Sequence, residues 1–202
     1  MASDLELLDA WKAGDAGAGE RLFRRHFEAI AVFFRNKVSS DLEDLVQQTF
    51  LGCLEGRERF RGDASFRGYL FGVAHRVFGT YLRRKYRERP RVDLDQVSLH
   101  DLDPSPSLMV ARRREVQLLL TALRQLPIAY QVVIELYFWE EMTAAAIAEA
   151  LEIPLGTAQT RLRRARELLA ERYDRLAAAV DAPPASGDFE GWARAIREST
   201  RE

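Results

Sequence analysis

Apolar residues in this chain recur at spacings of three and four, and no stretch shows the strict alternation of a half-buried strand. The fold class this predicts is all-α. Residues 4–37 read as two helices broken near Gly14-Asp15-Ala16-Gly17, with Leu22, Phe23, Phe27, Ile30, Phe33 and Phe34 as the wide apolar stripe of the second. Asp41 to Leu54 predicts a third helix, with Leu42, Leu45, Val46, Thr49, Phe50 and Cys53 on its core face. Arg57 to Asp63 reads as a loop, and Ala64 to about Arg87 as a long fourth helix striped by Phe66, Leu70, Val73, Val77 and Tyr81.

Residues 88–107, ERPRVDLDQVSLHDLDPSPS, lose the helical period and are rich in Pro, Asp and Ser. A structureless run of this length is longer than compact domains usually hold, so it reads as a flexible linker. Two small helical domains follow from this, at 1–87 and 108–179. The break Ala182-Pro183-Pro184-Ala185-Ser186-Gly187 opens an extension, 180–202, with a short helix at about 188–199. Phe189, Trp192, Ala193 and Ile196 form a stripe on that helix. A helix of about three turns is marginal alone in water, so it is either a disordered tail or packing cap, or it docks on one of the two domains and modulates their access to partners.

The segment 143–169, TAAAIAEALEIPLGTAQTRLRRARELL, predicts two helices joined by a tight turn. Thr143 can cap the first, over Ala144 to Leu151. Pro154 breaks the run, and Thr157 caps or opens a second helix reaching about Leu169. On a helical wheel Ala158, Leu162, Ala165 and Leu169 share one side. Thr160, Arg163, Arg164 and Glu167 lie opposite, flanked by Thr157 and Gln159. An apolar face backed by a cationic one is the layout of a helix-turn-helix, whose second helix enters the DNA major groove. A merely solvated helix pair is the plainer alternative.

Charge changes the picture through its distribution. The net charge of the 202 residues is only -1. Arg57 to Arg91 nevertheless holds eleven Lys/Arg against three acids, and Asp41 to Glu55 holds four acids and no base. Segregated blocks of this kind suit one anionic and one cationic partner. The single Cys53 excludes an internal disulfide and a cysteine-rich metal site; its place on an apolar face predicts a buried, inert thiol. His26, His75 and His100 are scattered without ligand spacing. No apolar run approaches the roughly 20 residues that span a bilayer, and the acidic start is unlike a signal peptide, so a cytoplasmic protein is expected. Neither a phosphate-cradling glycine loop nor a nucleophile beside a base is visible, so no enzyme and no cofactor or metal are expected.

Three segments in order, DLEDLVQQTFLGCLE, RFRGDASFRGYLFGVAHRVFGTYLRR and LPIAYQVVIELYFWEEMTAAAIAEALEIPLGTAQTRLRRAR, resemble the segments of bacterial RNA polymerase sigma factors. The short linker without a middle domain is similar to the extracytoplasmic-function group. The resemblance covers roughly residues 5–178. It implies sigma region 2 at 1–87, region 4 at 108–179, and core RNA polymerase and promoter DNA as partners. An anti-sigma factor is a further partner such a chain can have.

By this resemblance the block at Asp41 docks on a coiled coil of the largest polymerase subunit, through Asp41, Glu43, Asp44, Gln47 and Gln48. Such a face can accept charge-assisted hydrogen bonds from a basic helix. The basic block engages the promoter −10 element. Arg59, Phe60, Arg61 and Asp63 shape a base pocket. Arg67, Tyr69, Arg76, Arg83 and Arg84 supply stacking and phosphate contacts. Phe71 adds aromatic surface, and Phe66 serves the core. Where the group often has Trp, Asn and Asp on this helix, the chain has Tyr69, Arg76 and Thr80, so the −10 preference does not carry over. The −35 duplex is read by the second helix of 143–169, through Thr157, Gln159, Thr160, Arg161, Arg163 and Arg164. Gln159 stands where a Lys or Arg is usual and can pair with adenine. Glu152 stands where a turn glycine is frequent; either it takes a left-handed conformation, at roughly 1 kcal/mol, or the turn has a different geometry.

Two competing readings remain on the residues alone. One is a stand-alone helix-turn-helix regulator, against which the acidic block argues. The other is a sigma-like adaptor that has lost DNA binding, against which Arg161, Arg163, Arg164 and Arg166 argue.

Overall fold

The computed structural model describes residues 2–60, 65–86, 93–102, 114–183 and 191–192. Among these residues every regular element is helical, in the order α1 (Asp4–Lys12), α2 (Ala16–Arg35), α3 (Leu42–Gly56), a 3-10 turn (Arg57–Arg59), α4 (Phe66–Lys85), α5 (Leu99–Leu102), α6 (Arg114–Arg124), α7 (Ile128–Phe138), α8 (Ala144–Ala150) and α9 (Leu155–Ala178).

Local chemistry sets the helix ends. Ser3 and Glu6 form a reciprocal capping box at α1. Asp15 caps α2 through Ala18 N–H, Ser65 caps α4 through Gly68 N–H, and Thr143 caps α8 through Ala146 N–H. Between α1 and α2 the chain reverses at Gly14, whose φ is +104°. The Gly14 and Asp15 amides there bond back to the Trp11 and Ala10 carbonyls, a Schellman termination.

The first half packs α1 on α2, α2 on α3 and α3 on α4. Its core is aromatic, with Phe33 edge-on to Phe34, Phe71 and Phe78, and Phe34 edge-on to Phe78. Phe71 is therefore core, as is Phe66, so Phe71 offers no aromatic surface to a base. Cys53 is fully buried, and burial raises its thiol pKa to about 12. The second half packs α6, α7 and α8 on α9.

Three expectations are revised. Phe27 is not in the core stripe: it is 53 % exposed and stacks flat on the half-buried Phe50. The last helix begins at Leu155, two residues before Thr157, and continues to Ala178, because Tyr173 and Ala177 extend its buried face. The middle of the linker is structured. Ser98 and Asp101 cap each other at α5, and Leu99 and Leu102 are buried. The Val97 and Leu94 carbonyls accept the Ile128 and Ala129 amides, 3.0 and 2.9 Å away. The linker thus satisfies first-turn donors of α7 that the helix leaves open.

Of the C-terminal stripe, Trp192 is buried on Tyr173 of α9, with ring centroids 4.8 Å apart. Phe189, Ala193 and Ile196 lie outside the described residues.

Candidate nucleic-acid interface

The turn between α8 and α9 orients the reading helix. Glu152 adopts φ 56°, the left-handed conformation considered for it. Its amide bonds Glu149 O and the Ile153 amide bonds Ala148 O, so the Schellman hydrogen bonds hold a residue that lacks glycine's freedom. Pro154 follows, and its carbonyl accepts the Thr157 and Ala158 amides. Ala158, Leu162, Ala165 and Leu169 are all buried. That burial turns Gln159, Thr160, Arg163 and Arg164 outward, where all four are exposed, with Thr157 half-buried beside them.

Two arginines of this helix behave otherwise. Arg161 is half-buried and pairs with Asp95 of the linker at 2.7 Å. Arg166 lies over the Tyr137 and Phe138 rings, 5.0 Å from each centroid. On the open face Arg163 and Arg164 share Glu167, at 2.8 and 3.0 Å. Hydrogen bonding from Arg164, with both guanidinium charges, lowers the Glu167 pKa. A shared, exposed carboxylate holds these cations in place weakly, so a phosphate can displace it.

On α4 the cationic residues divide. Arg83 and Arg84 are exposed on the last turn, with Arg83 donating to the Thr80 hydroxyl. Arg67 instead pairs with Glu140, and Arg76 with Glu152 at 2.7 Å. Phe60 is buried and tilts against the half-buried Tyr69 at 4.8 Å. The Lys12 ammonium donates to the Phe60 carbonyl, which anchors the entry to the basic loop. Arg61 and Asp63, and the side chain of Arg59, lie outside the described residues.

On α3 the acidic row is a continuous outer face. Glu43, Asp44, Gln47 and Gln48 are exposed, and Gln48 donates to Asp44 at 2.6 Å. Asp41 precedes the helix at φ 66° and accepts from the Ser40 hydroxyl and the Tyr81 phenol. The row continues into Leu51 and Leu54, 48 % and 38 % exposed, with Phe27 exposed on the neighbouring helix. The two leucines were legible in the sequence: they fall three and four residues past Gln47, Gln48 and Leu51, off the core stripe.

Comparison with known proteins follows the same division. Sigma-70 region 2 matches residues 21–88, and Sigma-70, region 4 matches residues 116–169, together more than half of the chain. The chain belongs to the sigma-70 family. It is 27 % identical over 184 residues to the ECF RNA polymerase sigma-E factor of Haemophilus influenzae, covering 86 % of this chain and 97 % of that protein. It is 27 % identical over 176 residues to the sigma-E factor of Escherichia coli K12, covering 83 % and 92 %. A similar fold occurs in the sigma factor RpoE of Bartonella quintana, solved with the anti-sigma factor NepR. The TM-score is 0.58, at 23 % identity over 76 % of this chain and 94 % of that one. As a sigma-70-type chain of the extracytoplasmic-function group, this protein is a transcription initiation factor. Among its described residues there is no grouping of side chains able to hold a metal and no helix long and apolar enough to cross a membrane.

Proposed function

We propose that this sigma factor acts through three separate faces: α3 on core RNA polymerase, α4 with its preceding loop on the −10 element, and the outer face of α9 on the −35 duplex. The observation that carries the reading is the α9 face. Its four exposed polar residues sit opposite a fully apolar face that packs on the rest of the second half, at an angle set by a structured turn. Arg163 and Arg164 supply phosphate contacts, and Gln159 and Thr160 face base edges. Arg161 positions the helix through Asp95 while the linker stays docked.

On α3 the acids Glu43 and Asp44, the amides Gln47 and Gln48, and the leucines at 51 and 54 suit a basic helical partner with an apolar ridge. Such a partner buries the leucines and desolvates the acids together. Asp41, exposed just before α3, extends the same acidic row. On the −10 side Arg83 and Arg84 track phosphates, Tyr69 backed by Phe60 offers a stacking platform, and Arg59, Arg61 and Asp63 border it. The chain performs no catalysis of its own, uses no cofactor and works in the cytoplasm. An anti-sigma factor, of the kind bound by the Bartonella protein, is a candidate regulator.

Run-off transcription with core polymerase on a randomised promoter library tests this reading. Selected promoters should carry two sequence blocks at constant spacing. Specific binding to the upstream block alone, with no transcription by added core, would instead support a stand-alone helix-turn-helix regulator.

A further inference from the structure

A cavity of about 230 Å³ lies where α4, the linker, α7 and the α8–α9 turn converge. Five of its lining residues, Leu94, Ala129, Val132, Leu151 and Ile153, are aliphatic. Ala129 and Val132 are buried and form its floor, whereas Asp93 and Asp95 are exposed and mark its mouth. His75 and Arg161 complete the lining. An apolar cavity of about 150 Å³ takes benzene, and drug-sized ligands need about 300 Å³ or more, so this one suits a guest of roughly ten non-hydrogen atoms.

The polar groups retain capacity for a guest. Asp95 engages only the Nη2 of Arg161, at 2.7 and 2.9 Å, and a guanidinium has five N–H donors. Asp93 accepts the Asp95 amide at 3.0 Å and the Gln96 side chain at 2.9 Å, one bond to each oxygen, and each oxygen can accept a second. Burial, the largest cause, lowers the His75 pKa to about 4, so the ring is neutral. Its Nδ1 is sealed and has no hydrogen-bond partner among the described residues. A lone pair left without a donor costs less than an N–H left without an acceptor, which puts the proton on Nε2.

We propose that this cavity binds a free α-amino acid with a branched aliphatic side chain: its ammonium meets Asp93 and Asp95, its carboxylate meets Arg161 and His75, and its side chain fills the aliphatic floor. The Asp95–Arg161 pair sets opposite charges side by side, as the two charged groups of an α-amino acid are. A simple cation would be opposed by Arg161, and a simple anion by Asp93 and Asp95. An uncharged apolar guest would cover the charged groups at the mouth without pairing them. The zwitterion avoids all three costs, and the volume excludes a nucleotide.

The test titrates the full chain at neutral pH with L-leucine, isopentylamine and 4-methylpentanoate, followed by calorimetry and by the Ile153 methyl signal in NMR. Leucine should bind saturably and shift that signal, about tenfold more tightly than either the amine or the acid. Asp93→Asn keeps an oxygen for the Asp95 amide but removes the charge. It should weaken leucine by about tenfold and leave 4-methylpentanoate no weaker. Ala129→Leu fills the floor and should abolish binding of all three; if that variant does not fold, Asp93→Asn decides. No saturable binding of leucine by wild type overturns the site. Equal affinity for leucine and either analogue overturns the zwitterion. Leucine binding that leaves Ile153 unmoved and is undiminished by Asp93→Asn places the ligand elsewhere and overturns the proposal. The readout is made on the free chain, so none of these outcomes bears on the promoter assignment.

Discussion

Lys37 and Glu135, 98 positions apart, form an ion pair sealed from solvent on both sides. Burial lowers the lysine pKa and raises that of the glutamate, and their mutual attraction opposes both shifts. Removing one partner strands a buried charge. Glu135→Ala should therefore cost about 3–5 kcal/mol, whereas Lys37→Met with Glu135→Leu should be near neutral. Urea unfolding of the two variants measures this. Equal losses would mean that the pair is not sealed in solution.

The acidic face of α3 gives a second prediction. Glu43→Lys with Asp44→Lys should weaken core polymerase binding by placing like charges against a basic partner. The changed atoms are exposed but lie in the first turn of α3, where lysines oppose the helix dipole, so the unfolding midpoint should fall modestly. Leu51→Ala should also weaken binding, because an exposed leucine at an interface is buried only in the complex. Titration of fluorescent core polymerase reads both; unaltered affinity in the charge-reversed protein removes the reason for assigning this face.

Neutral His75 gives a pH dependence. Its ring faces Asp93, Asp95 and Arg161 across a cavity of about 230 Å³, and burial first, then the Lys37, Arg161 and Arg76 charges, lowers its pKa from 6.5 to about 4. The native state binds fewer protons than an opened one in that window, so this contribution is present above pH 6.5 and lost as pH falls toward 4. Glu135 and Glu140, raised by burial, act with the opposite sign: their contribution is full at low pH and lost as pH rises. The difference between wild type and His75→Gln isolates the histidine. It should grow in favour of His75→Gln as pH drops from 7 to 5. A flat difference in thermal midpoint would contradict the burial of this ring.

The C-terminal extension gives a fourth. Trp192→Ala removes an aromatic pair with Tyr173, worth about 1 kcal/mol beyond area. It should release the extension while leaving α9 folded, seen as faster proteolysis after Ala182 with unchanged helicity. Equal cleavage in both proteins would show that the ring does not hold the extension.

What was legible in the sequence follows from the range of the forces involved. The buried face of α9 is local periodicity, so Ala158, Leu162, Ala165 and Leu169 could be read directly, and Thr143 carried its capping chemistry in its identity; the left-handed Glu152 did not, because glutamate has no preference for that conformation. Phe27 could not be placed, because an apolar residue on a stripe looks the same whether or not a neighbour covers it. Arg67, Arg76 and Arg161 read as free cations, since their partners Glu140, Glu152 and Asp95 lie at least 66 positions away. Lys37 and Glu135 gave no signal at all. Each is an ordinary charged residue until the two halves meet.

The assignment of the α9 face is tested most directly by promoter selection with paired variants. Core polymerase with Gln159→Ala should enrich promoters altered only in the upstream block. Arg164→Ala should leave that sequence unchanged and lower the slope of log affinity against log salt by about 0.9 per lost phosphate contact. A Gln159→Ala protein that selects the wild-type upstream block, or one altered in the downstream block instead, would contradict the reading of promoter DNA by this helix.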